Sequence, residues 1–343
     1  MNKKLLLSLI IIVFLSGCGT SDNNTILNDN SSNNSLSLNT SSPKEESSKP
    51  LEKTYPFTGE PMTQENNFSP FMAIVENSKD ARPQSGLSKA DIVFETMAEG
   101  GIPRFMALFH KESSKEIGPI RSLRPYFIEI SEGFNLPFAH CGGSEDALNL
   151  IQSNNLMSLN EMRFQKSYWR DNSRKAPHNL YTSSDKITTL AKEKGYNKEP
   201  KSNIKFLSSY WDNKDLKECN GIKINMNKYY ETSYTYENGG YKKFIGKDVF
   251  VDKSENKDIQ IENIVIQQTT INLNKDNVHV DIPLIGEGTG YVLSKGKIMP
   301  MVWSRKDINN SPEIKDAEGN TIPLHPGKTW WNIIDKSNEI VLY

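Results

Sequence analysis

The stretch Asp91-Ile92-Val93-Phe94-Glu95-Thr96-Met97-Ala98-Glu99-Gly100-Gly101-Ile102-Pro103-Arg104-Phe105-Met106-Ala107-Leu108-Phe109 decides the fold. Two runs rich in branched and aromatic residues flank the turn-forming Gly100-Gly101-Ile102-Pro103, so they read as strands joined in an antiparallel hairpin. Upstream, Phe71-Met72-Ala73-Ile74-Val75-Glu76 reads as a buried strand ended by polar Asn77-Ser78-Lys79-Asp80. Downstream, Pro125 suits the first helical position and Gly133 the position just past the end, so a short helix begins near Arg124. Residues 136–141 read as another strand. Gly142-Gly143-Ser144 follows, with Ser144 as N-cap of a helix over about 145–153. A further helix is capped by Ser184 and stopped by Gly195. This mixture makes residues 55–205 an α+β domain with a layered mixed sheet and short helices. Beyond a connecting segment at 206–220, residues 221–343 read as a smaller β-rich domain, with strands near 259–268, 278–284 and 291–293. Gly286, Gly288 and Gly290 alternate as at a tight turn or bulge.

The N-terminus is of another kind. Lys3 and Lys4 precede an apolar run over residues 5–15, too short to span a bilayer and typical of a secretory signal. It ends in Leu15-Ser16-Gly17-Cys18, which resembles a bacterial lipobox. Residues 1–17 would then be a signal peptide, and Cys18 the acylated first residue of the mature chain. Residues 18–54 are dominated by Ser and Asn and read as a disordered, lipid-anchored tether. A flexible chain of that length reaches roughly 30–35 Å.

The 343 residues carry 41 Lys and Arg against 42 Asp and Glu, with a mean hydropathy of −0.59. That excludes a polytopic membrane protein, and it removes the electrostatic case for nucleic acid as a partner. Cys141 and Cys219 read as free, mostly buried thiols, with a disulfide as the other option. The Asn- and Lys-rich composition suits a Gram-positive source. The expected location is the extracytoplasmic face of the cell membrane.

Four groups of residues carry possible chemistry. Arg121 and Arg124 stand beside the free N–H groups of a helix start, an arrangement that favours phosphate or carboxylate. They have the alternative of pairing with Glu95 or Glu99. His140, Gly142, Gly143 and Ser144 form a strand, glycine loop and helix start, where ligands often bind at strand ends. His140 is either a base or a hydrogen-bonded structural residue. The loop 168–182 is rich in donors and aromatic faces, and Arg170, Arg174, His178, Asn179 and Tyr181 are its candidates. Asp91, Glu95 and Glu99 share strand parity and suggest a metal or acid–base face, or hairpin-rim carboxylates. Trp303, Trp330 and Trp331 suit either a sugar-stacking platform or core packing. Gly327-Lys328-Thr329 lacks the upstream glycine of a phosphate-binding loop.

Several motifs together resemble the YerB-like lipoproteins, a family described as a domain of unknown function in N- and C-terminal parts. They are Ala81-Arg82-Pro83-Gln84-Ser85-Gly86-Leu87, Gly118-Pro119-Ile120-Arg121-Ser122 with Arg124-Pro125-Tyr126-Phe127, His140 with Gly142-Gly143-Ser144, and Ala176-Pro177-His178-Asn179-Leu180-Tyr181-Thr182. The resemblance implies an α+β layered fold and a lipid anchor. Cys141 stands where a small aliphatic residue is expected and Pro103 where a threonine is, so it implies no family nucleophile at Cys141. A weaker similarity, in the order of Asp91, Pro119-Ile120-Arg121 and Gly142 to Leu148, is to the LytR-CpsA-Psr phosphotransferases. It implies Mg²⁺ held by Asp91, with Arg121 and Arg124 clamping a polyprenyl-pyrophosphate-linked glycan. Three functions are thus in view: binding of an anionic or glycan envelope ligand without a cofactor, this metal-dependent transfer, and a scaffold for another membrane protein. Cell-wall glycan, polyprenyl phosphate and a membrane protein are the corresponding partners.

Overall fold

The computed structural model describes residues 53–62, 69–276 and 278–343. The signal peptide, the Cys18 acylation site and the tether as far as residue 52 lie outside the described residues. No helix among the described residues is long and apolar enough to cross a membrane.

The decisive stretch forms the hairpin its sequence implies. After β1 (Phe71–Val75), β2 (Ile92–Met97) and β3 (Pro103–Phe109) pair antiparallel, Ile92 opposite Leu108 and Met97 opposite Pro103. The chain continues through α1 (Pro125–Phe134), β4 (Phe138–His140), α2 (Glu145–Asn154), β5 (Ser158–Asn160), β6 (Trp169–Arg170), β7 (Leu180–Tyr181) and α3 (Ser184–Glu193). The second half is nearly all strand. It runs through β8 (Lys217–Glu218), β9 (Gly221–Asn227), β10 (Tyr230–Glu237), β11 (Gly240–Ile245), β12 (Asp248–Val249), β13 (Val251–Asp252), β14 (Lys257–Asp258) and β15 (Gln260–Ile261). Then follow β16 (Asn263–Thr269), β17 (Asn272–Leu273), β18 (Val280–Asp281), β19 (Gly286–Ser294), β20 (Lys297–Arg305), β21 (Glu313–Lys315), β22 (Thr329–Asp335) and β23 (Glu339–Leu342).

Eleven of the described strands form one mixed sheet in the order β21-β20-β19-β16-β22-β2-β3-β1-β4-β5, with β8 beside β20. The β-rich C-terminal region therefore does not stand apart: β22 is parallel to both β16 and β2 and joins the two regions within the sheet. Trp330, Trp331, Ile333 and Ile334 are all buried, as a strand covered on both faces requires. A six-stranded sheet, β12-β11-β10-β9-β23 with β15 beside β11, is the second layer.

Side-chain alternation sorts the central strands between two cores. Ala73, Val93, Phe105 and Trp330 share one core with Ile224 and Tyr234 of the second sheet and Ile187 of α3. Ile74, Phe94, Met106 and Trp331 share the other with Phe127 and Phe134 of α1. The tryptophans are thus core residues and no sugar platform, since Trp303, Trp330 and Trp331 are at most 2% exposed.

Several local expectations change. Gly133 lies inside α1, and left-handed Asn135 ends the helix (φ 56°). A side chain at Gly133 would strike the Asn310 carbonyl and Arg305, which explains the glycine. Ser183 rather than Ser184 caps α3, accepting from the Lys186 N–H. The glycines at 286, 288 and 290 are in β19 and form no turn. A Cβ at Gly290 would come within 1.8 Å of the Ile266 carbonyl on neighbouring β16, and one at Gly288 would meet the Trp303 ring.

A polar knot joins the two sheets. Glu95 of β2 and Lys243 of β11 are wholly buried and 2.8 Å apart. The Glu95 carboxylate also accepts from Tyr230 Oη and Trp330 Nε1, both at 2.6 Å. Lys243 Nζ donates to Tyr234 Oη (2.9 Å) and to Thr232 Oγ1, and lies over the Tyr234 and Trp330 rings. Burial pulls the ammonium pKa down to about 8, against the attraction of Glu95.

Candidate functional site

The register places the C-terminal ends of β16, β22, β2, β1, β4 and β5 along one edge of the large sheet: Val75 lies opposite Phe105, which lies opposite Glu95, and His140 lies opposite Asn160. In sheets with parallel strands this is the edge where ligands are held. Glu76, Cys141 and Glu161 are the first residues past β1, β4 and β5. Arg121 is placed between them by its backbone, its N–H donating to the Ile74 carbonyl and its carbonyl accepting from Cys141 N.

Glu76 organises the site. It is 4% exposed, with Oε1 2.9 Å from His178 Nδ1 and accepting from Ser78 Oγ at 2.7 Å. Oε2 lies 3.3 Å from Arg121 Nε, an ion pair in which neither atom makes a hydrogen bond. A buried carboxylate therefore holds a guanidinium and an imidazole that both reach solvent, at 28% and 22% exposure. Arg121 keeps donors to offer an incoming anion. Beside it the Cys141 thiol donates to Glu161 Oε2 at 3.3 Å. Burial first, and Glu161 second, push that thiol up to about 11, so it stays protonated at neutral pH and is no activated nucleophile. The charges of Arg170 and Arg121 act on the Cys141 thiol in the opposite direction and are outweighed.

The other expected site residues have mainly structural partners. Arg124 caps α1 and pairs with Glu99, which also takes Arg104 at 2.8 Å, so Arg121 and Arg124 serve different carboxylates rather than one clamp. His140 is fully buried, Nδ1 2.7 Å from the Gly142 carbonyl and Nε2 2.7 Å from Ser158 Oγ. Burial lowers its pKa to about 4, so the ring is neutral, and both of its nitrogens are engaged within the protein, as in a structural histidine. Ser144 caps α2 by accepting from Ala147 N. Gly142 has φ +61°, and its N–H donates to Asn160 Oδ1. A side chain at Gly143 would crowd the Leu123 carbonyl at 3.3 Å. Arg174 is a latch, donating to the carbonyls of Asp80, Arg82 and Pro83 and to Tyr181 Oη. Tyr181 is fully buried, and Asn179 ties Arg170 to the Asp171 and Arg174 carbonyls.

The three carboxylates that share strand parity separate. Glu95 is in the knot and Glu99 among arginines. Asp91 is fully buried at the opposite edge of the sheet, where its oxygens accept from the Lys111 N–H at 3.0 and 3.3 Å. Asp91 and Arg121 therefore belong to no common site, which removes the geometric basis of the transferase arrangement. Among the described residues no group of three or more His, Cys, Asp or Glu is placed to hold a metal ion.

Sequence reasoning missed Glu76 and Glu161. Both directly follow buried strands, and that position was their signal. Cys141 and Cys219 are free thiols.

Residues 57–197 match the family described as "Protein of unknown function (DUF3048) N-terminal domain", and residues 222–331 match the corresponding C-terminal domain. The chain is 34% identical over 272 residues to "Putative lipoprotein YerB" of Bacillus subtilis (strain 168), covering 77% of this chain and 81% of that protein. The crystal structure of the YerB protein from Bacillus subtilis is similar with a TM-score of 0.76 at 30% identity, over 84% of this chain and all of that one.

Proposed function

The chain belongs to the YerB-like family, and we propose that it is a lipoprotein held by acylated Cys18 on the extracytoplasmic face of a Gram-positive cell membrane, where it binds an anionic envelope ligand. The observation that carries this is the Glu76 carboxylate gripping Arg121 and His178 at the C-terminal strand edge. A phosphate or carboxylate bound there replaces weak contacts of Arg121 with charge-assisted hydrogen bonds. Phosphorylated glycan and polyprenyl phosphate both present such a group. The scaffold reading draws on Arg124 and Arg174, whose guanidinium groups are taken up by a carboxylate and by backbone carbonyls of the chain itself.

Thermal stabilisation separates the two. A ligand at 100 times its dissociation constant adds about 2.7 kcal/mol. Pyrophosphate is expected to raise the melting temperature of the wild type and not of Arg121→Ala, with a muropeptide as the glycan arm. An equal rise in both proteins overturns the site. No rise with any ligand, with Arg121→Ala folded and functional in cells, supports the scaffold.

A further inference from the structure

The strand edge that carries Arg121 continues into a groove of about 510 Å³ at the ends of β16, β22 and β2. Its walls are largely apolar, with Met97, Ala98, Ile271, Leu273, Val278 and Val280 among them. Three apolar side chains stand unusually far into solvent here: Tyr229 is 78% exposed, Leu273 60% and Val278 48%. The size and the apolar lining with few polar groups are those of a small-molecule site. The one carboxylate in the wall, Asp335, is already engaged, accepting from the N–H groups of Ile271 and Ser337.

An ion-pair cluster in which two arginines share one carboxylate links this groove to the anion site. Lys228 lies in the wall against the Tyr229 ring. Gly100 and Gly101 in the same wall follow Glu99, whose carboxylate is met by Arg104 and by Arg124, and at 3.8 Å by His279, which itself lies 2.6 Å from Asp276. Arg104 in turn donates to the Ser122 carbonyl, next to Arg121. An apolar trough bordered by Lys228 and by this cluster, in which two arginines share the single carboxylate of Glu99, is complementary to a molecule that is apolar at one end and anionic at the other.

We infer that the ligand is a phosphorylated amphiphile, its hydrocarbon chain in this groove and its phosphate toward Arg121, past the Arg104 and Arg124 pair on Glu99. The inference rests on the reading of the strand edge as an anion site and specifies what the anion is attached to. Each methylene removed from water strengthens binding roughly fourfold. A chain only partly covered by the groove therefore gives a large gain over the phosphate alone.

The test uses the full acylated chain in zwitterionic nanodiscs, with heats from empty nanodiscs subtracted. Inorganic phosphate, octyl phosphate and octanol are titrated. Octyl phosphate is expected to bind at least tenfold more tightly than phosphate, and octanol weakly. Leu273→Asp, at an exposed position that the fold tolerates, is expected to abolish the gain from the chain and leave phosphate binding intact. Arg121→Ala is expected to weaken both phosphate ligands. Equal affinity for phosphate and octyl phosphate overturns the amphiphile and leaves the anion site standing. Octanol binding as tightly as octyl phosphate overturns it too, because the groove would then act without the cations. If neither phosphate ligand binds, the amphiphile and the anion site fall together.

Discussion

A Lys243→Met protein is expected to lose about 3–5 kcal/mol of unfolding free energy, the usual result of stranding one buried charge. The substitution keeps most of the side-chain volume but leaves the Glu95 carboxylate between two sheets, with only Tyr230, Tyr234 and Trp330 as donors. These donors stabilise the charge without neutralising it. The double variant Lys243→Met with Glu95→Gln removes both charges, so it should recover much of the loss. Denaturant unfolding of the four proteins measures the coupling. A single-variant loss below about 1 kcal/mol would mean that the apolar contacts, and not the knot, fasten the second sheet to the first.

Asp91 should govern how stability changes with pH between about 4 and 7. Burial raises its folded-state pKa from 3.8 to about 7, partly offset by the Lys111 N–H and the charge of Lys328. In this window the folded protein holds a proton that the unfolded chain has released, so stability falls as pH rises. The contribution is complete below the unfolded pKa and gone above about 7. The difference between those two values corresponds to an effect on the order of 4 kcal/mol. Asp91→Asn mimics the protonated acid at every pH. It is expected to match wild type near pH 4 and to exceed it at pH 8, when the two are compared by urea denaturation. Parallel curves for the two proteins would show that Asp91 is not the titrating group.

What the sequence discloses is mostly local. Apolar runs locate β1, β2, β3 and β4, and Pro125 and Ser144 mark helix starts through backbone chemistry that acts within a few residues. The assembly of the large sheet was not legible, because β22 pairs with β2 across more than two hundred residues and nothing in Thr329 to Asp335 names its neighbours. Charge pairing is half legible: Glu99 is an expected partner for the arginines, while Glu76 is not. Arg121 and Arg124 look equivalent in sequence, yet Arg121 finds Glu76 and Arg124 finds Glu99. Gly133 shows a further limit: glycine reads as a helix stop, whereas here it makes room for Arg305 and the Asn310 carbonyl. The groove is built from segments around 97–101, 226–229, 271–280 and 335–338 and has no sequence motif at all.

The proposed anion site lies where β1, β4 and β5 end. Its most direct test is an amide and side-chain NMR titration of the isotopically labelled protein with pyrophosphate. Saturable shifts are expected at Arg121, Cys141, Glu161 and His178, and none at Asp91 and Lys111 on the far edge of the sheet. Shifts centred on Asp91 and Lys111, or no saturable shift anywhere, would contradict it.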